Sequence, residues 1–252
     1  MQSISAIIIT LNESLKIQAC LESVKWVDEI IVIDSGSTDD TVEICKKYTD
    51  KIFVTDWPGF GPQKNRALSY VTCDWVLSID ADECVTPKLK KEIQQILNSN
   101  SFEVYNIPRL SSFCGRYLHH GGWRPDYVTR LFKRGLASFS DDLVHERLVF
   151  KTKKGKLKES LIHTSIDDLD SMLLKVNSYS TAGAHRILNK GKQVGLFSAL
   201  SHGFWIFFRT YFLRLGFLDG KEGFIMAVSA GENTYYRYLK AYYLQNTKNN
   251  VR

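Results

Sequence analysis

The stretch CDWVLSIDADE, residues 73–83, is an apolar run that ends abruptly in three acids, Asp80, Asp82 and Glu83. Trp75 to Ile79 has the composition of a buried strand, and carboxylates that follow such a strand lie where open α/β sheets bind ligands. Three acids within four residues repel one another unless a cation neutralises them, which indicates a metal or metal–phosphate site. An acidic cluster at the start of a helix is the alternative, because acids favour the first helical turn.

Strands and helices alternate through the first hundred residues. Apolar runs predict four buried strands, at Ile4–Thr10, Glu29–Asp34, Lys51–Val54 and Trp75–Ile79. The segments between them show helical spacing of apolar residues, and Asn12 is the candidate N-cap of the first helix. This alternation predicts an α/β fold with a mostly parallel sheet and right-handed crossovers.

The first, second and fourth predicted strands each end in a polar residue: Thr10, Asp34 and Asp80. Because the carboxyl ends of parallel strands share one edge of a sheet, we expect these side chains to lie together where a nucleotide would bind. The sequence contains neither a G-x-G-x-x-G fingerprint nor a Walker lysine motif, so it indicates neither a dinucleotide site of that type nor a P-loop.

The composition sets broad limits on function. The 252 residues have a net charge of +6, which suits nucleotide phosphates, phospholipid headgroups or nucleic acid without choosing between them. The five cysteines are scattered, and this favours free thiols in a reducing compartment. No uninterrupted apolar run reaches the roughly 18 residues that a membrane-spanning helix needs.

Beyond residue 104 the pattern changes. Residues 113–134 are rich in Gly, His, Trp and Arg, which is typical of a substrate-lining loop, and the lysines around Gly155 predict an exposed hairpin with a basic rim. Residues 196–218 combine many aromatic side chains with Arg209 and Arg214, which favours a helix lying in a membrane interface. A core or dimer-interface helix is the alternative.

Four motifs resemble, in order, those of the family 2 glycosyltransferases: IITLNE at 8–13, EIIVIDSGSTDDT at 29–41, GPQKNRA at 61–67 and DADE at 80–83. Three shorter motifs resemble the branch of bacterial lipopolysaccharide-core glucosyltransferases: VHE at 144–146, LIH at 161–163 and LGFLDG at 215–220. The resemblance implies an α/β fold of the GT-A type, a Rossmann-like nucleotide-diphospho-sugar transferase fold with C-terminal amphipathic helices. It implies a catalytic domain at 1–165 and a helical, membrane-attaching segment at 166–252.

The family uses a nucleotide-sugar donor, usually a UDP-sugar, together with Mg²⁺ or Mn²⁺. In this chain the resemblance assigns the donor contacts to Thr10, Leu11, Glu13, Asp34, Lys64, Arg66, Asp80, Ala81 and Arg130. It assigns the metal to Asp82. His163 is a further candidate ligand, and a structural histidine is its alternative.

The reaction implied by the resemblance is an inverting single displacement, in which an acceptor hydroxyl attacks the anomeric carbon. It needs one general base, for which the resemblance favours Glu146, with Asp142 and Asp141 as the next candidates. A salt bridge from Glu146 to Arg147 or Arg130 is the structural alternative. The chain lacks the Gln-x-x-Arg-Trp motif of many processive polysaccharide synthases, which favours the transfer of a single sugar.

The resulting prediction is an enzyme that moves a sugar, glucose in this branch, onto a lipid-linked saccharide such as the lipopolysaccharide inner core. It would work in the cytoplasm as a peripheral protein of the anionic inner-membrane surface, and nucleic acid is not an expected partner. The residues predicted to contact the acceptor or the phosphates are His119, His120 and Arg124. Two alternatives stay open: a sugar nucleotidyltransferase, which would release pyrophosphate, and a non-catalytic membrane-binding module.

Overall fold

The computed structural model describes residues 2–99, 101–140 and 147–250, without the side chains of 248–250. The chain divides into two units, of which the first comprises Met1–Arg109 and Asp126–His163. The second comprises Leu110–Pro125 and Thr164–Arg252. The helical unit therefore includes a stretch, 110–125, that the boundary predicted at 165 leaves in the catalytic domain.

Strand and helix alternate in the amino-terminal part of the first unit. The elements as far as β6 are β1 Ile4–Thr10, α1 Ile17–Val24, β2 Glu29–Asp34, α2 Thr41–Cys45, β3 Ile52–Val54, α3 Phe60–Ser69, β4 Trp75–Asp80, β5 Glu83–Val85, α4 Pro87–Leu97 and β6 Val104–Phe113. The later strands are β7 Arg116–Tyr117, β8 Asp126–Lys133, β9 Ala137–Phe139, β10 Leu148–Phe150, β11 Lys154–Lys156 and β12 Leu161–Ile166.

The main sheet has the strand order β3-β2-β1-β4-β8-β6-β12-β5. The strands β1 to β4 are parallel, and β8 pairs antiparallel with both β4 and β6. Although β5 follows β4 directly along the chain, it lies at the far end of this order, so the sheet curls. The predicted α/β class with a mostly parallel sheet is confirmed.

Both faces of the central strands are buried, which explains why they read as continuous apolar runs. On one face Ala6 and Ile8 pack with Leu21 of α1 and Leu89 of α4. Ile7 and its neighbours on the other face pack with residues of α3. The helix α4 begins at Pro87, and the hydroxyl of Thr86 caps it by accepting the N–H of Leu89 at 3.1 Å.

The basic segment around Gly155 is not the hairpin that the lysines predicted. Its strand β11 pairs in parallel with β6, with Lys154 opposite Val104 and Lys156 opposite Asn106. Gly155 faces the ring of Tyr105, and a Cβ at this position would lie 2.5 Å from that ring. Because glycine has no side chain, β11 can come this close to Tyr105 and pair with β6 at the sheet.

The second unit is mainly helical, as the predicted fold class requires. Its helices are α5 Leu169–Asn189, α6 Leu196–Phe208, a π-helical turn Arg209–Leu213, a 3₁₀ turn Gly216–Asp219 and α7 Gly220–Asn250. Helices α6 and α7 approach closely at Gly203 and Gly231, where a Cβ would come within 3.2 Å of backbone oxygen. Within the described residues, none of the helices is both long and apolar enough to span a bilayer.

Candidate active site

Two loops follow β1 and β2 at the same edge of the sheet, and hydrogen bonds join them. The Asn12 N–H donates to Ser37 Oγ at 2.8 Å, and the Thr38 N–H donates to Asn12 Oδ1 at 2.8 Å. The Glu13 N–H donates to Thr41 Oγ1 at 2.8 Å. Asn12 has a φ of 54°, so it is a turn residue and not the predicted N-cap. Asparagine is among the residues that tolerate this left-handed conformation.

Asp34 ends β2 and is fully buried. Its carboxylate accepts the N–H of Gly36 at 2.9 Å, the N–H of Ser37 at 2.8 Å and the hydroxyl of Ser37. Gly36 has a φ of 91°, a conformation that favours glycine. The carboxylate therefore shapes the loop after β2, and its contact with the uracil or the ribose stays a prediction.

The other predicted donor contacts differ in their surroundings. Thr10 ends β1, and its buried hydroxyl has no hydrogen-bond partner within the described part of the chain. Leu11 is half-exposed beside it, and Ala81 is buried. Arg66 lies on α3 and donates to Asp56 at 2.9 Å, so the structure engages it with the loop before that helix.

Asp80, the last residue of β4, lies between two buried cations. Lys64 Nζ is 3.0 Å from Asp80 Oδ1, and the Arg130 guanidinium donates to both carboxylate oxygens. Burial alone would raise the pKa of Asp80, but the charges of Arg130 and Lys64 outweigh it and hold the pKa well below its ordinary value. The structure thus brings together three residues that the sequence assigned to the donor site, and Asp80 is ionised at neutral pH.

Glu83 extends this network and is completely buried. It accepts the Asp80 N–H at 3.1 Å and Arg130 at 3.0 Å, and Arg109 lies 3.3 Å away. Arg109 also donates to Asp126 at 2.8 Å. Three cations therefore offset Asp80, Glu83 and Asp126, so the protein itself supplies much of the neutralisation that the sequence predicts for the acids at 80–83. Arg109 and Arg130 lie on β6 and β8, and arginines within largely apolar strands are the sequence signal for such a network.

Asp82 differs from its two neighbours. Its Oδ2 lies 3.2 Å from His163 Nε2, and its carboxylate has no lysine or arginine partner among the residues described. The described chain contains no group of three His, Cys, Asp or Glu side chains that could enclose a metal. Mg²⁺ is commonly held by one or two carboxylates together with substrate phosphates and water, and imidazole also suits Mn²⁺. The donor set of this pair therefore fits an ion shared with a diphosphate.

A groove of about 790 Å³ opens beside Asp80. Strands β6, β8, β9, β10 and β11 supply its walls, and its described lining residues are Asp80, Arg109, Tyr127, Val128, Thr129, Arg130, Phe139, Arg147, Leu148, Val149, Phe150 and Lys154. Its volume is in the range of small-molecule sites.

The predicted bases Glu146, Asp142 and Asp141 lie outside the described residues. His119 and His120 belong to the second unit, where Asp219 accepts the N–H of His119 at 3.0 Å and that of His120 at 2.7 Å. Asp219 also lies 3.0 Å from His120 Nδ1. These two histidines are held within the helical unit, and their contact with an acceptor stays a prediction, as does that of Arg124.

Comparison with known proteins adds a sequence relationship to this geometry. The model of the family Glycosyl transferase family 2 matches residues 5–157. An uncharacterized glycosyltransferase of Rickettsia felis is 34% identical over 241 residues, which cover 89% of this chain and 84% of the relative. The lipopolysaccharide core biosynthesis glycosyltransferase LpsC of Rhizobium meliloti is 30% identical over 252 residues, with 95% of this chain and 92% of the relative covered.

Solved structures of S. aureus TarS have a similar fold. One matches with a TM-score of 0.51 and 18% identity, and the match covers 92% of this chain and 55% of that one. The fragment 1–349 in complex with UDP-GlcNAc matches with a TM-score of 0.50 and 17% identity, covering 97% of this chain and 92% of that one. At these identities the likeness concerns the fold alone.

Proposed function

Because this chain belongs to the family 2 glycosyltransferases and has their GT-A fold, we propose that it transfers a sugar, glucose, from a UDP-sugar to a lipid-linked saccharide. The resemblance, the fold class and the enzyme class predicted from the four sequence motifs are confirmed. The observation that carries the finer proposal is the acidic cluster at the end of β4. There Asp80 is bridged by Lys64 and Arg130, whereas Asp82 contacts His163 and, among the described residues, no lysine or arginine.

The donor would bind across the loops that follow β1 and β2. The hydroxyl of Thr10, which has no partner among the described residues, and the exposed Leu11 support this position. The hydrogen bond between Asn12 and Ser37 would preorganise it. Lys64 and Arg130 would attract the diphosphate while they fix Asp80. TarS binds UDP-GlcNAc with the same fold, which is consistent with a uridine donor.

The metal would be held by Asp82 and His163. A divalent ion at this position supplies Lewis-acid stabilisation of the charge that develops on the leaving diphosphate. Asp82 would contribute the anionic oxygen ligand. His163 would contribute an imidazole whose orientation is set by its position in β12, opposite Glu83 in β5. Mg²⁺ and Mn²⁺ both accept such ligands.

The chemical step would be an inverting displacement. A new bond forms between the acceptor oxygen and the anomeric carbon, while the bond from that carbon to the diphosphate oxygen breaks and releases UDP. The proton of the acceptor hydroxyl passes to a carboxylate base, for which we propose Glu146, with Asp142 as the second candidate. Each acceptor would receive a single sugar, so the enzyme would not need to stay bound to a growing saccharide chain.

The acceptor would be a saccharide of the lipopolysaccharide inner core, presented at the cytoplasmic face of the inner membrane. The relationship to LpsC, whose name assigns it to lipopolysaccharide core biosynthesis, supports this class of acceptor. The second unit exposes large apolar side chains, including Phe197 at 80% and Phe204 at 69%, and Arg214 is exposed nearby in sequence. Aromatic and basic side chains together suit a peripheral attachment to anionic lipid.

Replacing the metal-binding carboxylate tests this function. We expect Asp82→Asn to slow UDP release from UDP-glucose by about 100-fold or more, because metal stabilisation of the leaving group is worth several kcal/mol. The assay uses Mn²⁺ and lipopolysaccharide from cells that lack the gene. Asp50→Asn, a change at an exposed acid outside the predicted site, is the matched control. Release of pyrophosphate instead of UDP, or full turnover by Asp82→Asn, would overturn the proposal.

A further inference from the structure

We infer that the groove beside Asp80 binds an acceptor saccharide that carries a negatively charged group, a carboxylate or a phosphate, and that Lys154 recognises this charge. The inference rests on the proposed glycosyl transfer and names the chemical class of its acceptor. Its basis is the position of the groove in the sheet, the charge of its walls and the packing that orients β11.

The groove lies on the opposite side of β4 from the two loops described above. In the strand order β4 stands between β1 and β8. The loops follow β1 and β2 on one side, whereas the walls of the groove come from β6 and β8 to β11 on the other. Asp80, at the end of β4, touches the groove. A molecule in the groove would therefore meet the acidic cluster from the side that the donor leaves free.

The described lining of the groove carries an excess of positive charge. Four of its side chains are positive and one is negative: Arg109, Arg130, Arg147, Lys154 and Asp80. Arg109 and Arg130 are paired with Glu83, Asp126 and Asp80, so the excess comes from Arg147 and Lys154. A wall of this charge attracts anions and penalises a cationic ligand. Arginine and lysine are also the residues that form strong charge-assisted hydrogen bonds with carboxylates and phosphates.

The packing of β11 places lysine side chains towards this groove. Gly155 faces Tyr105, and successive side chains of a strand alternate between its two faces. Lys154 and Lys156 therefore share the face opposite Tyr105. Lys154 lines the groove, and Lys156 Nζ lies 5.0 Å from the ring of Tyr127, which lines it too.

The groove also offers aromatic surface, which a saccharide needs in addition to charge. Tyr127 is 41% exposed, and Phe150 on β10 lines the same groove. Ligand sites commonly combine apolar and aromatic walls with a few polar groups that set specificity. Apolar C–H faces of a sugar ring could pack on these rings while its anionic substituent reaches Lys154. An inorganic anion would bind through the positive charge alone and would make no contact with the aromatic rings.

Binding of simple sugars to the full chain tests this inference. The probes are glucose, glucuronate and glucose 6-phosphate, measured by ligand-observed NMR with UDP and Mn²⁺ at low salt. We expect both charged sugars to bind at least about ten-fold more tightly than glucose, the effect of one charge-assisted hydrogen bond. Comparison of the carboxylate with the phosphate identifies which anion the groove prefers.

Substitutions then assign the charge to its residue. Lys154→Gln should weaken the charged probes about ten-fold and leave glucose unchanged, whereas Lys154→Arg should retain most of the preference. Lys153→Gln is the matched control, since Lys153 is exposed, neighbours Lys154 and is absent from the described lining. With a natural acceptor, Lys154→Gln should raise the KM for that acceptor without changing the affinity for UDP.

Two results would overturn the inference: equal binding of charged and neutral sugars, or equal losses in Lys154→Gln and Lys153→Gln. Binding of inorganic phosphate as tight as that of glucose 6-phosphate would also count against a saccharide site. Failure of UDP and Mn²⁺ to bind at all is a different outcome. It would refute the proposed donor, while the comparison of the three sugars without UDP would still decide the charge preference.

Discussion

Buried acids occur at both ends of the parallel strands, and the two sites differ in how their charge is balanced. At the amino end of β2, Glu29 accepts hydrogen bonds from Ser5, Thr72 and Lys51, so its carboxylate is satisfied within the chain. At the carboxyl end of β4, Asp80 and Glu83 are likewise offset by buried cations, but Asp82 contacts His163 and has no lysine or arginine partner in the described part of the chain. Burial of an acid is therefore weak evidence of function, and incomplete pairing inside the chain is stronger evidence.

The largest expected effect comes from breaking the carboxyl-end network at its centre. Arg130→Met removes the side chain that binds both Asp80 and Glu83 and leaves two acids without their main partner. Loss of one member of a buried ion pair costs about 3–5 kcal/mol, so we expect the free energy of unfolding to fall by that amount. Urea denaturation at pH 7 measures it.

The matched control for this change is Arg66→Met. Arg66 pairs with Asp56, whose side chain is 77% exposed, and an exposed pair contributes less than about 1 kcal/mol. If Arg130→Met and Arg66→Met destabilise the protein equally, the network around Asp80 does not stabilise the fold in the way that its geometry indicates.

The amino-end site gives the next largest effect, and it depends on pH. Burial by itself would raise the pKa of Glu29, but hydrogen bonds from Lys51, Ser5 and Thr72 lower it from its ordinary value of 4.5 to about 2. A lowered folded-state pKa stabilises the fold above pH 4.5, and this stabilisation is lost as the pH falls towards 2. Because Lys51 is half-exposed and water screens its charge, we expect this stabilisation to be about 2 kcal/mol.

Comparison with Glu29→Gln isolates this contribution from that of the other acids. The free energies of unfolding of wild type and variant should differ most above pH 4.5 and converge as the pH approaches 2. Urea titrations at several pH values between 2 and 7 provide the measurement. If this difference stayed constant over the range, the negative charge of Glu29 would make no contribution to the free energy of unfolding.

The sequence predicted the first four strands and the acidic edge because continuous apolar runs and turn residues are local signals. It did not predict which acids are neutralised by the protein, since Arg109 and Arg130 reach Glu83 only through the pairing of distant strands. Asn12 shows the same limit on a smaller scale. Its residue type suits an N-cap or a left-handed turn, and only the neighbouring loop, through Ser37 and Thr38, selects the turn.

The smallest expected effect concerns the loop at the carboxyl end of β2, where hydrogen bonds replace ion pairs. Asp34→Ala removes the acceptor of the Gly36 and Ser37 N–H groups. Gly36 is exposed, so water can satisfy part of this loss, and we expect a destabilisation of about 1–2 kcal/mol. The same change should weaken UDP binding, because the loop loses its fixed shape.

Asp40→Ala is the matched control, since Asp40 is exposed and its side chain caps no helix. Urea denaturation and UDP titration of both variants separate the two roles: a loss of stability without weaker UDP binding would restrict Asp34 to folding.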